Sequence, residues 1–189
     1  HHTDDVERLD AGDDPLLAVE DLTTVFHTDE GIVRAVDGVS FSVRAGETVC
    51  LVGESGSGKS VLAESITGLV EPPGEIAGGH VRFSGRDLTT LPGKALRSIR
   101  GAEIGHVFQH PGDALNPVYR VGTQIAEVMK IHGDAGGRDA RRRAIDLLDR
   151  VGIPDPHARV DSYPHELSGG MKQRVAIAMA LAGEPDLLV

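Results

Sequence analysis

At 189 residues, of which 40% are hydrophobic, the chain can bury one substantial domain core and has room for an inserted subdomain. A formal net charge of −10, with lysine only at positions 59, 94, 130 and 172, argues against nonspecific nucleic-acid binding as the main activity. The longest apolar run, Val175 to Ala182, is too short to span a bilayer, and a single cysteine excludes a disulfide within the chain.

Residues 1–14 carry six acidic side chains and few apolar ones, which reads as a disordered acidic lead. From Pro15 the pattern changes. Leu16 to Phe26 and Ile32 to Val43 alternate apolar and polar positions around a polar, Gly-containing break, which predicts an antiparallel hairpin followed by a further strand over Val39 to Val43. Phe26 is one of only six aromatic residues. It either packs within the sheet or stacks on a nucleotide base. Glu47 to Val52 reads as a buried strand, with Cys50 as a small core residue.

That strand runs directly into Gly53-Glu54-Ser55-Gly56-Ser57-Gly58-Lys59-Ser60, which satisfies the phosphate-loop pattern G-x-x-x-x-G-K-[ST] in full. Val61, Leu62, Ser65, Ile66 and Leu69 then recur at helical spacing until Pro72-Pro73. The chemistry accounts for the residue types. Glycines let backbone N–H groups turn inward and approach phosphate oxygens closely, and the helix that follows directs its positive end at the same point. Lys59 reaches the β- and γ-phosphates in this pattern, and the Ser60 hydroxyl ligates Mg²⁺. The plainer alternative is a Gly/Ser surface turn, which the strand–loop–helix context disfavours.

Further on, Gly79 to Gly85 reads as a short strand, Lys94 to Arg100 as a short basic helix, and Ile104 to Gln109 as another strand. Gln109, at the end of a parallel strand, sits where ligands bind in open α/β sheets, although a loop Gln without a role is the commoner case. Between Val118 and Asp161 the helical period takes over. Ile125, Val128, Met129 and Ile131 form one apolar face, and Ala140, Ala144, Leu147, Leu148 and Val151 form a second. Arg141 to Arg143 lie mainly on the solvated side. Ser168-Gly169-Gly170 opens a last apolar helix, either as a second anion site or simply as an N-cap with flexible glycines.

Taken together, these motifs make the chain resemble the nucleotide-binding domain of ATP-binding cassette (ABC) transporters from about Leu16 to Val189. Gly53 to Ser60 matches the Walker A loop and Phe108-Gln109 the Q-loop. Leu167 to Met171 matches the family's LSGGQ signature, with Met in the last place. Phe108-Gln109-His110-Pro111, Leu115-Asn116-Pro117, Val121-Gly122, Gln124-Ile125 and Pro164 to Met171 are similar to the branch that imports dipeptides, oligopeptides and sometimes nickel.

The resemblance implies an α/β fold: a P-loop NTPase core with a mostly parallel sheet, an N-terminal antiparallel β subdomain, and an inserted α-helical subdomain at about 112–166 of a domain spanning 15–189. It implies ATP and Mg²⁺ as the bound species. The nucleotide-binding residues would be Phe26 (as the adenine-stacking aromatic), Gly53, Glu54, Ser55, Gly56, Ser57, Gly58, Lys59, Ser60, Ser168, Gly169 and Gly170. Lys59 and Gln109 would act in catalysis, with Ser60 and Gln109 at the metal. Two such domains would stack head to tail, each ATP lying between the Walker A loop of one and the Ser168 face of the other. The expected partners are separate membrane permease chains, a second ATP-binding domain and, indirectly, an extracytoplasmic solute-binding protein. No nucleic acid is expected, and the expected location is the cytoplasmic face of the membrane. In the family the strand at Leu187 to Val189 continues into a Walker B Asp, a catalytic Glu and a switch His. The sequence stops before them, so the expectation is a fragment that binds ATP without completing hydrolysis. The competing expectations are a non-hydrolysing interaction module and a soluble ABC ATPase outside transport.

Overall fold

The computed structural model describes residues 14–109, 114–132 and 137–189. Residues 1–13 of the acidic lead and His110 to Gly112 of the Q-loop region lie outside the described residues. The chain divides into two compact units, one ending at Thr90 and the other beginning at Leu91.

The first unit is built on a four-stranded antiparallel sheet in the order β2-β1-β3-β4. Its strands are β1 (Leu17–Thr28), β2 (Gly31–Val43), β3 (Gly74–Phe83) and β4 (Arg86–Asp87). Alternation drives the burial: Leu17, Val19, Leu22, Val81 and Phe83 are buried while intervening residues face solvent. The hairpin closes on the Thr28–Gly31 pair. The further strand expected at Val39 to Val43 is instead the second half of β2. Bulges absorb the irregularity, one in β1 between Val19 and Leu22 and two in β2 between Arg34 and Val39, so the pairing continues to Val43. The strand expected at Gly79 likewise begins earlier, at Gly74, because it pairs with β1 along its length.

Helix α1 (Lys59–Thr67) lies against this sheet. It stops at Gly68, in the left-handed conformation, before it reaches Leu69 or the prolines. The Thr24 and Ser65 hydroxyls, both buried, meet at 2.7 Å, and Ser65 Oγ also donates to the Val61 carbonyl at 2.6 Å. A buried polar pair satisfied in this way fixes the helix on β1 without leaving an orphaned group.

Glu47 to Val52 does not form the expected buried strand. Val52 is 94% exposed, Cys50 is exposed rather than in the core, and among the described residues no backbone hydrogen bond joins 48–52 to a neighbouring strand. The apolar run meets the pattern for a buried strand, but a strand also needs partners. The sheet of the first unit ends at β2 on one side and β4 on the other.

In the second unit, α2 (Gly93–Ile99) precedes β5 (Ile104–Gly105), which pairs in parallel with β6 (Leu187–Leu188). Bonds from Val107 N–H to the Val189 carbonyl (2.8 Å) and from Val189 N–H to the Gly105 carbonyl (2.9 Å) extend the ladder by a step. Helices α3 (Val121–His132), α4 (Gly137–Arg150) and α6 (Gly169–Leu181) share one aliphatic core with Leu115, Ile153, Val160 and Leu167; the short α5 (Pro156–Arg159) precedes Val160. The spacing read in α4 is what is buried: Ala140, Ala144, Leu147 and Leu148 all face inward. Ile131 departs from its expected face and is 68% exposed, since two residues beyond the buried Met129 carry it about 200° around α3, away from this core.

Candidate functional site

The phosphate loop leaves the exposed 47–52 segment and enters α1 through two glycines with left-handed φ, Gly56 at 81° and Gly58 at 87°. Gly58 is forced in two ways. Its φ disfavours a side chain, and a Cβ there would collide with the Ala35 carbonyl oxygen of β2. That contact seats the first turn of α1 against the sheet. At Gly53 a Cβ would come within 2.6 Å of Ser57 Oγ.

The Lys59 ammonium donates to three loop acceptors: the Gly53 carbonyl at 2.8 Å, the Glu54 carbonyl at 2.6 Å and Ser57 Oγ at 3.2 Å. It is thereby folded over the loop beside the start of α1. Among the described residues, the backbone N–H groups of Gly58, Lys59 and Ser60 have no acceptor, and the exposed Ser60 hydroxyl makes no hydrogen bond. Free amide donors, a helix N-terminus and a fixed ammonium converge here, and that donor set suits an anionic, oxygen-rich ligand. The residues therefore fit a polyphosphate, with Ser60 as a free hydroxyl donor for a hard cation.

Phe26 belongs to the same unit. It pairs with Val33 on β2 and with Gly74 on β3, and its half-buried ring lies across Gly74, 2.7 Å from where a Cβ would stand. Val33 is two residues from Ala35, against which Gly58 packs, or about 7 Å along an extended strand. One strand therefore carries the neighbours of both the aromatic ring and the phosphate loop.

The remaining site residues lie in the second unit, on separate elements. Gln109 is exposed at a bend after β5. Just before it, the His106 and Phe108 rings lie tilted at 50° with centroids 4.5 Å apart, and burial pushes the His106 imidazole below its usual pKa. Ser168 caps α6, its hydroxyl accepting from Met171 N–H at 3.3 Å, while the buried Leu167 anchors the turn in the core. Gly169 and Gly170 have open space where a Cβ would go, and their N–H groups are without acceptors among the described residues. Upstream, the Glu166 carboxylate accepts Tyr163 N–H at 2.6 Å, and Arg120 lies 5.8 Å from the centre of the Tyr163 ring. Arg174 of α6 donates to the Gly152 carbonyl at the end of α4.

Two of the branch residues, Gln124 and Gly122, are internal fasteners. Gln124 is buried; its Oε1 accepts Asn116 N–H at 2.9 Å, and its Nε2 donates to the carbonyls of Asn116 (3.0 Å) and Tyr119 (2.9 Å). Gly122 packs against Val160, where a Cβ would be 2.3 Å from Cγ2. The sequence reading did not find Thr24, Ala35 or Gly74. Gly74 follows two prolines and reads only as turn punctuation, and nothing local marks Thr24 or Ala35.

By fold the chain is similar to an ATP-binding cassette solved as a dimer in a post-hydrolysis state bound to ADP and Pi. The TM-score is 0.82 at 29% identity, over 91% of this chain and 72% of that one. The family model described as ABC transporter matches residues 36–189. The dipeptide transport ATP-binding protein DppD of Escherichia coli (strain K12) is 50% identical over 174 residues, 92% of this chain and 53% of the relative. The oligopeptide transport ATP-binding protein OppD of Bacillus subtilis (strain 168) is 50% identical over 175 residues, 92% of this chain and 49% of the relative. The chain belongs to the ABC transporter family. It spans about half the length of these curated relatives. Among the described residues no helix is long and apolar enough to cross a membrane.

Proposed function

We propose that the chain is the ATP-binding part of a peptide importer. It holds ATP at Gly53 to Ser60, with Phe26 beneath the base and Ser60 supplying a hydroxyl to Mg²⁺. The observation that carries this reading is the set of unpartnered N–H groups at Gly58, Lys59 and Ser60 beside the tethered Lys59 ammonium. Bound Mg²⁺ would supply neutralisation of charge on the β- and γ-phosphates. Lys59 keeps its place through the Gly53 and Glu54 carbonyls, so its charge meets the phosphates already oriented. Gln109 would monitor the metal and the γ-phosphate. The names of the relatives, dipeptide and oligopeptide transport ATP-binding proteins, support a peptide as the imported solute.

A second copy or a related domain would complete each ATP site through Ser168, Gly169 and Gly170. The openness of these two glycines supports that arrangement. Among the described residues nothing stands where a Cβ would go, which leaves room for a ligand or backbone to approach from outside. ATP binding would close the pair and hydrolysis would release it, with the motion passed to permease subunits at the cytoplasmic face of the membrane through the helical segment at about 112–166.

Titration with ATP tests both halves. Lys59→Ala should weaken binding by about 1.5–3 kcal/mol, the value of a hydrogen bond to a charged group. Ser168→Arg should leave that affinity unchanged but abolish ATP-dependent pairing in sedimentation. Unchanged affinity in the first variant removes the loop from the argument, and persistent pairs in the second remove the shared site.

A further inference from the structure

We infer that Gly74 is a positioning residue for the nucleobase: by presenting no side chain, it leaves room for the Phe26 ring to sit against β3 as a stacking platform. The inference rests on the reading of Phe26 as the base-stacking aromatic. Residues directly opposite one another in an antiparallel sheet project from the same face. Val33, Phe26 and Gly74 therefore form one row across β2, β1 and β3. Val33 is 53% exposed and gives the row an apolar rim, while the half-buried Phe26 ring occupies its centre.

The third position of the row has to be empty. A Cβ on Gly74 would stand 2.7 Å from Phe26 Cε1, 2.8 Å from Val70 Cγ1 and 3.0 Å from the Glu71 carbonyl oxygen. The backbone does not demand glycine, because Gly74 is absent from the positive-φ residues. The demand comes from the Phe26 ring together with the Val70 side chain and the Glu71 carbonyl. Nor can β3 slide away to relieve a clash. Gly74 N–H is bonded to the Glu71 carbonyl (2.9 Å), His27 N–H to the Pro73 carbonyl (3.0 Å), and His27 Nε2 meets Glu75 Oε1 at 2.9 Å. A methyl at position 74 has to be accommodated by the Phe26 and Val70 side chains, and the ring, displaced from β3, loses the geometry for stacking.

Calorimetric titration of ATP and of inorganic tripolyphosphate into the native protein, Gly74→Ala, Phe26→Ala and the double variant tests this. Tripolyphosphate has no base and reports on the phosphate loop alone. Phe26→Ala should weaken ATP roughly tenfold or more, the usual loss of one base–aromatic stack, and leave tripolyphosphate within about twofold. Gly74→Ala should do the same to a similar or smaller extent, and adding it to Phe26→Ala should cost nothing further, since the ring it displaces is gone. Equal weakening of ATP and tripolyphosphate by Gly74→Ala, unchanged ATP affinity, or losses that multiply in the double variant would each overturn the inference. If Phe26→Ala leaves the ratio of the two affinities unchanged, the stacking reading fails first and takes the inference with it. Should Gly74→Ala not fold, the double variant must fold; its failure would place the crowding at Val70 and the Glu71 carbonyl and overturn the role assigned to the ring.

Discussion

Replacing the two left-handed glycines of the phosphate loop by alanine should have unequal effects, because only one of them touches the sheet. Gly56→Ala meets open space, so its cost is backbone strain alone: about 1–2 kcal/mol for a left-handed residue with a Cβ, reduced by several tenths because alanine also restricts the unfolded chain. Gly58→Ala carries the same strain and in addition drives its methyl into the Ala35 carbonyl oxygen. That obstacle is backbone, flanked by the paired Arg34 and Val36 of β2, and cannot rotate aside as a side chain would. Overpacking of this kind costs about 1–3 kcal/mol more. With a urea slope of about 1–3 kcal/mol/M, the Gly58→Ala midpoint should fall below that of Gly56→Ala by roughly 1 M. The assay is urea unfolding of both variants followed by circular dichroism, without nucleotide. Equal midpoints would refute the claim that α1 is seated on β2 through Gly58.

Two further outcomes follow from the second unit. Gln124→Ala removes the acceptor of Asn116 N–H and both donors to the loop carbonyls. It should cost about 1–3 kcal/mol and speed hydrogen exchange at Asn116, and unchanged exchange there would show that the clamp does not hold the loop. The Arg141 guanidinium, bonded to Asp161 at 2.8 Å through both nitrogens, holds that carboxyl below its ordinary pKa of 3.8. A carboxyl depressed in the folded state contributes stability above its unfolded pKa and loses it as pH falls through the folded value. The difference in urea midpoint between the native protein and Asp161→Asn should therefore be constant from neutral pH to about pH 4 and shrink below it. A difference unchanged down to pH 2 would refute the pairing.

Local patterns in the sequence carried far where the physics is local. Alternation located β1 and β2, spacing found the buried face of α4, and glycine motifs marked the loop before α1 and the turn before α6. What pattern cannot carry is pairing. Glu47 to Val52 has the composition of a central strand, but composition does not supply neighbours, and Val52 is left exposed. Nor does pattern show which polar residues meet: Thr24 and Ser65 are 41 residues apart and join only once α1 lies on β1. Gln124 stood out as part of a branch motif, whereas its three hydrogen bonds are to its own loop.

The glycines sharpen the point, because one letter has several causes. Gly58 is fixed by its φ and by the strand beneath it, and Gly74 by an aromatic ring, so both demands arise within the first unit. Gly169 and Gly170 answer to neither. They are the first two residues of α6, where glycine is a poorer helix former than alanine, with open space above them. A helix that accepts that cost twice in succession gains nothing from it internally. On the proposed shared site, the compensation comes from a ligand or backbone brought up against the turn, where a methyl would stand in the way. Gly169→Ala should accordingly stabilise the isolated chain slightly while impairing ATP-dependent pairing, a divergence that a purely structural glycine does not produce.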